Sequence, residues 1–326
     1  MLRLGVAVTV TQLSAFLAVV RHGSVTGAAE ELVVTQPSVS AAISALEREL
    51  GVDLTERVGR SIRPTAAGEA YARYAGDVLA LLKEGSEVAG QVAKGGNVPL
   101  RVTAVTTAGE YLLPSLLQAF QEDEPDIEVT VHVGNREEVF RRLEAHEADV
   151  AISGRAPTGR GFQGSVFLDN EFVLITSPED PLAKRPWVAV DELAAVPWLM
   201  REHGSGTRRL CETYLASHQL QPPMLTLGSN GAIKSAARVG LGVALQSREA
   251  VALELEVGLL QTIRPRGGLP KRSWYVVRST VGPGSVAANA FTEFVRSPEG
   301  AETLARSHGD EVRQTRRRLR GGRAQA

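Results

Sequence analysis

Residues 24–50, SVTGAAEELVVTQPSVSAAISALEREL, constrain the fold more tightly than any other stretch. Ser24 can cap a helix carrying Val25, Ala28, Ala29 and Leu32 at i, i+3, i+4 and i+7. Val33-Val34 makes a short turn. Thr35 is a good cap for a second helix, and Pro37 falls in its first turn, where a missing N–H costs little. That helix is predicted to run to Leu50 and stop at Gly51. Val39, Ile43, Leu46 and Leu50 give it one stripe to bury. Pro37, Ser40, Ala41, Ser44 and Arg48 lie opposite, a small polar face that can enter a groove without a steric block. An earlier helix, Thr11–Arg21, carries Leu13, Phe16, Leu17 and Val20 on one face and would pack behind the pair.

Two helices joined by so tight a turn suit the DNA major groove. Gln36 stands at the second helix's N-terminus, where side chains usually meet bases; its amide can pair bidentately with adenine, and serines can bond bases or phosphates. Ser24, Thr26, Thr35, Gln36, Pro37, Ser38, Ser40, Ala41 and Ser44 are the candidate contacts. Downstream, Arg57, Arg60 and Arg63 are spaced along an extended, Gly-containing stretch that suits a β-wing reaching phosphates or the minor groove. A solvated surface loop is the alternative reading of that stretch.

Residues 11–68 resemble the winged helix-turn-helix of the LysR-type transcriptional regulators. The resemblance rests on Phe16, Ala28-Ala29, Leu32, Thr35-Gln36-Pro37-Ser38-Val39-Ser40, Ile43, Leu46-Glu47, Leu50-Gly51, Leu54, Glu56-Arg57 and Pro64-Thr65-Ala66-Ala67-Gly68. It implies base and phosphate contacts from Gln36, Pro37, Ser38, Ser40 and the wing arginines. The chain departs from the family pattern at Thr55, where Phe is usual, at Ala41-Ala42 and at Gly27, where basic or long polar residues are common. The departures imply weaker or differently distributed base contact on an unchanged fold.

Charge does not announce DNA binding: the first 98 residues hold nine Lys/Arg and ten Asp/Glu, and the whole chain is −1. Placement carries the argument. The single cysteine, Cys211, can make no internal disulfide, which fits a reducing compartment; it reads as a structural thiol rather than a redox sensor or metal ligand. The N-terminus is too quickly polar for a signal peptide, and no apolar run is long enough to span a membrane. The expectation is a cytoplasmic protein with no membrane association, cofactor, metal site or catalytic residues.

Domain organisation reads as a winged helix-turn-helix head over 1–64, a linker helix and hinge over 65–96, an effector-binding domain over 97–297 and a basic disordered tail over 298–326. Thr65 caps the linker helix, whose apolar period through Ala70, Tyr71, Tyr74, Val78, Leu81, Leu82, Val88 and Val92 asks for a second subunit's helix; folding back on its own body is the alternative. A homodimer or homotetramer would match a near-palindromic double-stranded operator. Gly95-Gly96-Asn97 marks the hinge. The tail ends in Arg313, Arg316, Arg317, Arg318, Arg320 and Arg323, which could add nonspecific DNA affinity.

From Leu100 strands and helices alternate: strands at 100–105, 127–133, 148–153, 171–177, 197–201, 224–228, 242–246 and 272–279, and helices at 111–121, 135–146, 205–219, 229–239 and 285–296. Such alternation argues for parallel sheets covered by helices. A late return of the chain gives two α/β lobes, one of 97–170 with 272–297 and one of 171–271, with a cleft between them. This resembles the periplasmic-binding-protein-like effector domain of the same regulators. Ligands in such sheets bind at strand C-termini near helix N-termini. Thr106, Thr107, Asn135, Arg136, Ser153, Arg201, His203, Ser205, Thr207, Arg208 and Asn230 are the candidates. Hydroxyls, helix N-termini and arginines together favour a small anionic metabolite, phosphorylated or carboxylate.

Val105–Ala108, Asn135-Arg136-Glu137, Leu199–Arg208, Gly228–Lys234 and Trp274–Val277 resemble the CbbR-like branch, regulators of carbon-fixation operons. That branch implies phosphorylated sugars and acids, 2-oxoglutarate or nicotinamide nucleotides as effectors, with RNA polymerase as a further partner. The alternatives on the same two-lobed body are a solute-binding protein, against which the head argues, and an enzyme, for which no nucleophile elbow, HExxH or Cys/His cluster is present.

Overall fold

The computed structural model describes residues 7–59, 61–93, 99–156, 161–282 and 284–306. The chain divides into two units between Gly96 and Asn97.

The first unit opens with α1 (Val10–His22), α2 (Val25–Leu32) and α3 (Gln36–Leu50). Each start is fixed by a local cap: Thr9 boxes with Gln12, Ser24 accepts from the Gly27 amide and Thr35 from the Ser38 amide. Gly23 and Gly51 end α1 and α3 in the left-handed region. Val33 ends α2 in the same region at φ 56°, an unfavourable place for a β-branched residue. Leu13, Phe16, Val19, Ala28, Val39, Ile43 and Leu46 close one core. A hairpin follows, β1 (Thr55–Val58) against β2 (Ser61–Pro64), with Arg57 opposite Ile62 and Arg63 opposite Glu56. The Ile62 amide bonds the Gly23 carbonyl at 2.8 Å, which ties the wing to the α1–α2 turn. Thr65 then caps α4 (Ala66–Ala93) through the Gly68 amide. A Cβ at Gly68 would sit 2.0 Å from the Leu54 carbonyl oxygen, so the crossing of wing and helix requires glycine.

In the second unit, one lobe is built on a five-stranded sheet of order β4-β3-β5-β12-β6. Its strands are β3 (Leu100–Val105), β4 (Val129–Gly134), β5 (Val150–Ser153), β6 (Phe162–Asn170) and β12 (Arg272–Ser279). The first three are parallel, and β12 runs antiparallel between β5 and β6. Helices α5 (Thr106–Tyr111), α6 (Leu113–Asp123), α7 (Arg136–Glu144) and α11 (Val286–Arg296) cover it. Phe120 and Phe291 meet edge to face at 5.1 Å in its core. The other lobe holds β7 (Phe172–Thr176) between β10 (Ala244–Ser247) and β11 (Gln261–Ile263), all antiparallel, with the parallel pair β8 (Trp198–Met200) and β9 (Met224–Thr226) beside it. Its helices are α8 (Gly206–Ser217), α9 (Asn230–Arg238) and α10 (Arg248–Glu256). The chain crosses between lobes at 170–172 and again at 264–272.

Four expectations need correction. The sheets are mixed, because the crossing strands β7 and β12 run against their neighbours. The helix expected over 111–121 is two helices broken at Leu112, where Pro114 starts a new first turn. β6, β11 and α10 were not foreseen; β6 is an edge strand with little apolar alternation. The tail does not begin at 298: residues 298–306 are helical, and Leu304 is buried in the core of the first lobe. The terminal arginines lie outside the described residues, as does Arg60.

Candidate DNA interface and effector cleft

The exposed face of α3 carries Gln36, Pro37, Ser38, Ser40, Ala41 and Ser44, while Val39, Ile43 and Leu46 point inward. Thr35 is exposed too, but its hydroxyl is occupied by the Ser38 amide and hydroxyl, the latter at 2.8 Å. Ser24 is half-buried and serves as a cap; Thr26 is exposed. Arg57 and Arg63 are exposed but fall on opposite faces of the wing, because their cross-strand partners differ. One phosphate track can therefore meet only one of them squarely. Thr55 fits its position through Glu47: the carboxylate oxygen Oε1 accepts from the Leu54 amide at 2.9 Å and from the Thr55 amide and hydroxyl at 3.0 Å each. These bonds make a polar anchor that seats the wing on α3.

In the second unit a cleft between the lobes is lined by Thr106, Thr107, Asn135, Arg136, Ser205 and Thr207, all foreseen, and by Asn170, Glu202, Ser247 and Arg272, which were not. Its cavity volume is about 30 Å³, room for little more than a water. Arg272 is part of its wall. Its Nε donates to the Gly154 carbonyl at 2.6 Å, within the same lobe. Its Nη1 donates across the cleft to the Gly206 carbonyl at 3.2 Å. No carboxylate pairs with Arg272 among the described residues. Burial, and then the repulsion of Arg136, Arg155 and Arg209, pull its guanidinium down to about 10. Arg136 is lowered for the same reasons, burial first and then Arg209 and Arg155. It donates to the Ser153 hydroxyl at 3.1 Å and the Arg155 carbonyl at 2.5 Å, and it stacks on Phe140. A Cβ at Gly206 would lie 3.1 Å from Arg272 Nη2 and 3.7 Å from Arg136 Cδ, so both arginines flank the first residue of α8. Cations held together without counter-charge, beside a helix N-terminus, form a seat for an anion.

Arg201, also foreseen, lines the cleft as well, whereas Ser153, His203, Arg208 and Asn230 stand elsewhere. Arg201 is 4% exposed, and its charge is spent on Glu202 at 2.7 and 2.9 Å and on Asn230 at 2.5 Å. Asn230 is fully buried and reaches Glu110 at 2.8 Å and Thr107 at 3.4 Å in the opposite lobe. Arg201 and Asn230 thus form an interlobe clasp. Ser153 is buried behind Arg136. His203 and Arg208 line a separate, outer cavity between α7 and α8 with Arg141 and Arg209. Arg208 is taken up by Glu212 at 2.7 Å and by the Arg201 carbonyl at 2.9 Å. Cys211 is buried against Met200 at 3.4 Å, and burial pushes its thiol up to about 12, where it is inert at neutral pH. Among the described residues there is no cluster of potential metal ligands, and no helix is long and apolar enough to cross a membrane.

Residues 10–69 match the helix-turn-helix of bacterial regulatory proteins of the lysR family, and residues 93–298 match the LysR substrate-binding domain. The chain belongs to the LysR family. It is a DNA-binding transcriptional regulator, not an enzyme. Among its relatives, this LysR regulator is 34% identical over 300 residues to the HTH-type transcriptional activator CmpR of Synechocystis, covering 91% of this chain and 98% of that one. It is 35% identical over 291 residues to a RuBisCO operon transcriptional regulator of Allochromatium vinosum, covering 89% and 96%. The regulatory domain of Synechocystis CcmR, solved in complex with 2-PG, superposes with a TM-score of 0.58 at 31% identity over 61% of this chain and 95% of that one. The resemblance to the CbbR-like branch is borne out by these relatives.

Proposed function

We propose that this LysR regulator controls carbon-fixation or related carbon-metabolism genes, and that a small anionic metabolite seated between its lobes modulates its grip on DNA. The observation that carries the ligand class is the pair Arg136 and Arg272, two half-buried guanidiniums without carboxylate partners at the start of α8. A phosphate or carboxylate there would relieve their mutual repulsion and accept from α8 amides. The hydroxyls of Thr106 and Thr207 add further contacts. CcmR's 2-PG is an anion of the right kind. A cavity of about 30 Å³ cannot admit such a molecule, so binding requires Arg272 to release the Gly206 carbonyl and the lobes to part. The ligand thereby favours one lobe arrangement over another.

The head reads DNA with Gln36, Ser38 and Ser40 on α3, and the wing arginines reach phosphates. On α4, Tyr74, Val78 and Leu82 are exposed four residues apart, a stripe suited to the same helix of a second subunit. A homodimer, or a tetramer built from it, would then span a near-palindromic site in the cytoplasm, with RNA polymerase as its neighbour at the promoter. A mobility shift on the DNA just upstream of the gene tests the reading. The panel is phosphorylated sugars, phosphoglycolate, 2-oxoglutarate and NADPH. A specific shift altered by one anion is expected; a shift that none of them alters counts against the effector reading.

A further inference from the structure

The second unit holds a cavity much larger than the cleft. It lies at the two interlobe crossings, 170–172 and 264–272. Its volume is about 1000 Å³, the upper end of the range for small-molecule sites. Gly154, Asn170, Phe172 and Arg272 line both cavities and form the wall between them.

The lining charge is lopsided. Arg155, Arg248, Arg264, Lys271 and Arg272 face Asp169 and Glu171, five basic groups against two acidic. Glu171 is taken by Arg248 at 2.7 and 2.9 Å. Arg155, Arg264 and Lys271 have no ion pair among the described residues, and all three are exposed to the groove's solvent. Phe172, Ile263, Leu269, Pro270 and Tyr275 provide an apolar floor beneath them. A groove with surplus positive charge at its rim and apolar side chains at its base suits a ligand that has both an anionic and a nonpolar part.

We propose that this groove is a second ligand site, distinct from the interlobe cleft, for a phosphorylated small molecule bound by Arg155, Arg264 and Lys271. Its floor is made of the two crossing strands, so lobe closure changes its shape and occupancy biases closure in return. Arg272 stands in the shared wall and couples the two sites; that link, though not the site itself, rests on the cleft reading above.

The test is calorimetric titration of the full-length protein with inorganic pyrophosphate, in chloride buffer free of other polyvalent anions. The variants are Arg264→Glu/Lys271→Glu, the milder Arg264→Ala/Lys271→Ala, and Arg136→Ala for the cleft. Two pyrophosphates per chain are expected for the wild type. The Arg264/Lys271 variants should weaken one of them by about ten-fold or more, the scale of a lost charge-assisted hydrogen bond, and leave the other. Arg136→Ala should remove that other one. A single wild-type pyrophosphate lost only in the Arg264/Lys271 variants supports the groove and counts against the cleft. Unchanged pyrophosphate binding in the Arg264/Lys271 variants overturns the proposal. So does a changed subunit count by light scattering with pyrophosphate binding intact, which would make the groove an interface between copies.

Discussion

Replacing Arg272 with methionine should stabilise the empty protein while destroying its response to effector. Burial first, and then the neighbouring arginines, pull the guanidinium about two and a half pH units below its ordinary value, to about 10. At 1.36 kcal/mol per pH unit that is roughly 3 kcal/mol or a little more held against the charged form in the folded state. The sign follows from linkage: the folded pKa lies below the unfolded one, so the cost is full at neutral pH and is relieved only as pH rises through about 10. Methionine fills similar space without charge, but it forfeits the charge-assisted bonds to the Gly154 and Gly206 carbonyls, worth about 1.5 kcal/mol each. The net is about +0.5 kcal/mol, or a rise of about 1–2 °C in a unit of this size. Thermal melts in buffer without polyvalent anions should show it. Adding the active anion at 100 times its Kd should raise the wild-type melt by about 2.7 kcal/mol equivalent and leave the variant nearly unmoved. A variant that melts lower than wild type, or that keeps the ligand shift, would refute the reasoning.

Other predictions concern the first unit. Gln36→Ala should weaken specific DNA binding by about 1–3 kcal/mol in gel-shift titrations and leave nonspecific binding unchanged. Of Arg57→Ala and Arg63→Ala, only one should lower the salt slope of DNA binding, by about 1, because the two residues face opposite ways on the wing. Val33 is 89% exposed in the left-handed region, so Val33→Asn loses no packing and should raise stability by about 1 kcal/mol in denaturant titrations. Leu82→Asp should lower the subunit count by light scattering, if the proposed α4 pairing holds the dimer, without altering the circular dichroism of the head.

What was legible beforehand was local. Caps at Ser24 and Thr35, the stop at Gly51 and the stripe Val39–Ile43–Leu46 depend on residues within one helix, so the head could be read almost element by element. The cleft's hydroxyls and Arg136 were found because they sit at helix N-termini. Arg272 was missed because its partners are remote: Gly154 is 118 residues away and Gly206 is 66, and along the chain it reads only as the start of a strand. Arg201 was found and lines the cleft, but its partners were not legible. Its place after a strand suggested a ligand, but the neighbouring Glu202 and distant Asn230 absorb its charge. Leu304 lay in a polar context that hid one buried side chain.

The most direct test is a footprint of the full-length protein on its operator, wild type against Arg136→Ala, with and without the active anion. The account predicts that both proteins protect the same site without ligand, and that only the wild type changes its footprint or DNA bend when the anion is added. An Arg136→Ala protein that responds to the anion as the wild type does would contradict it.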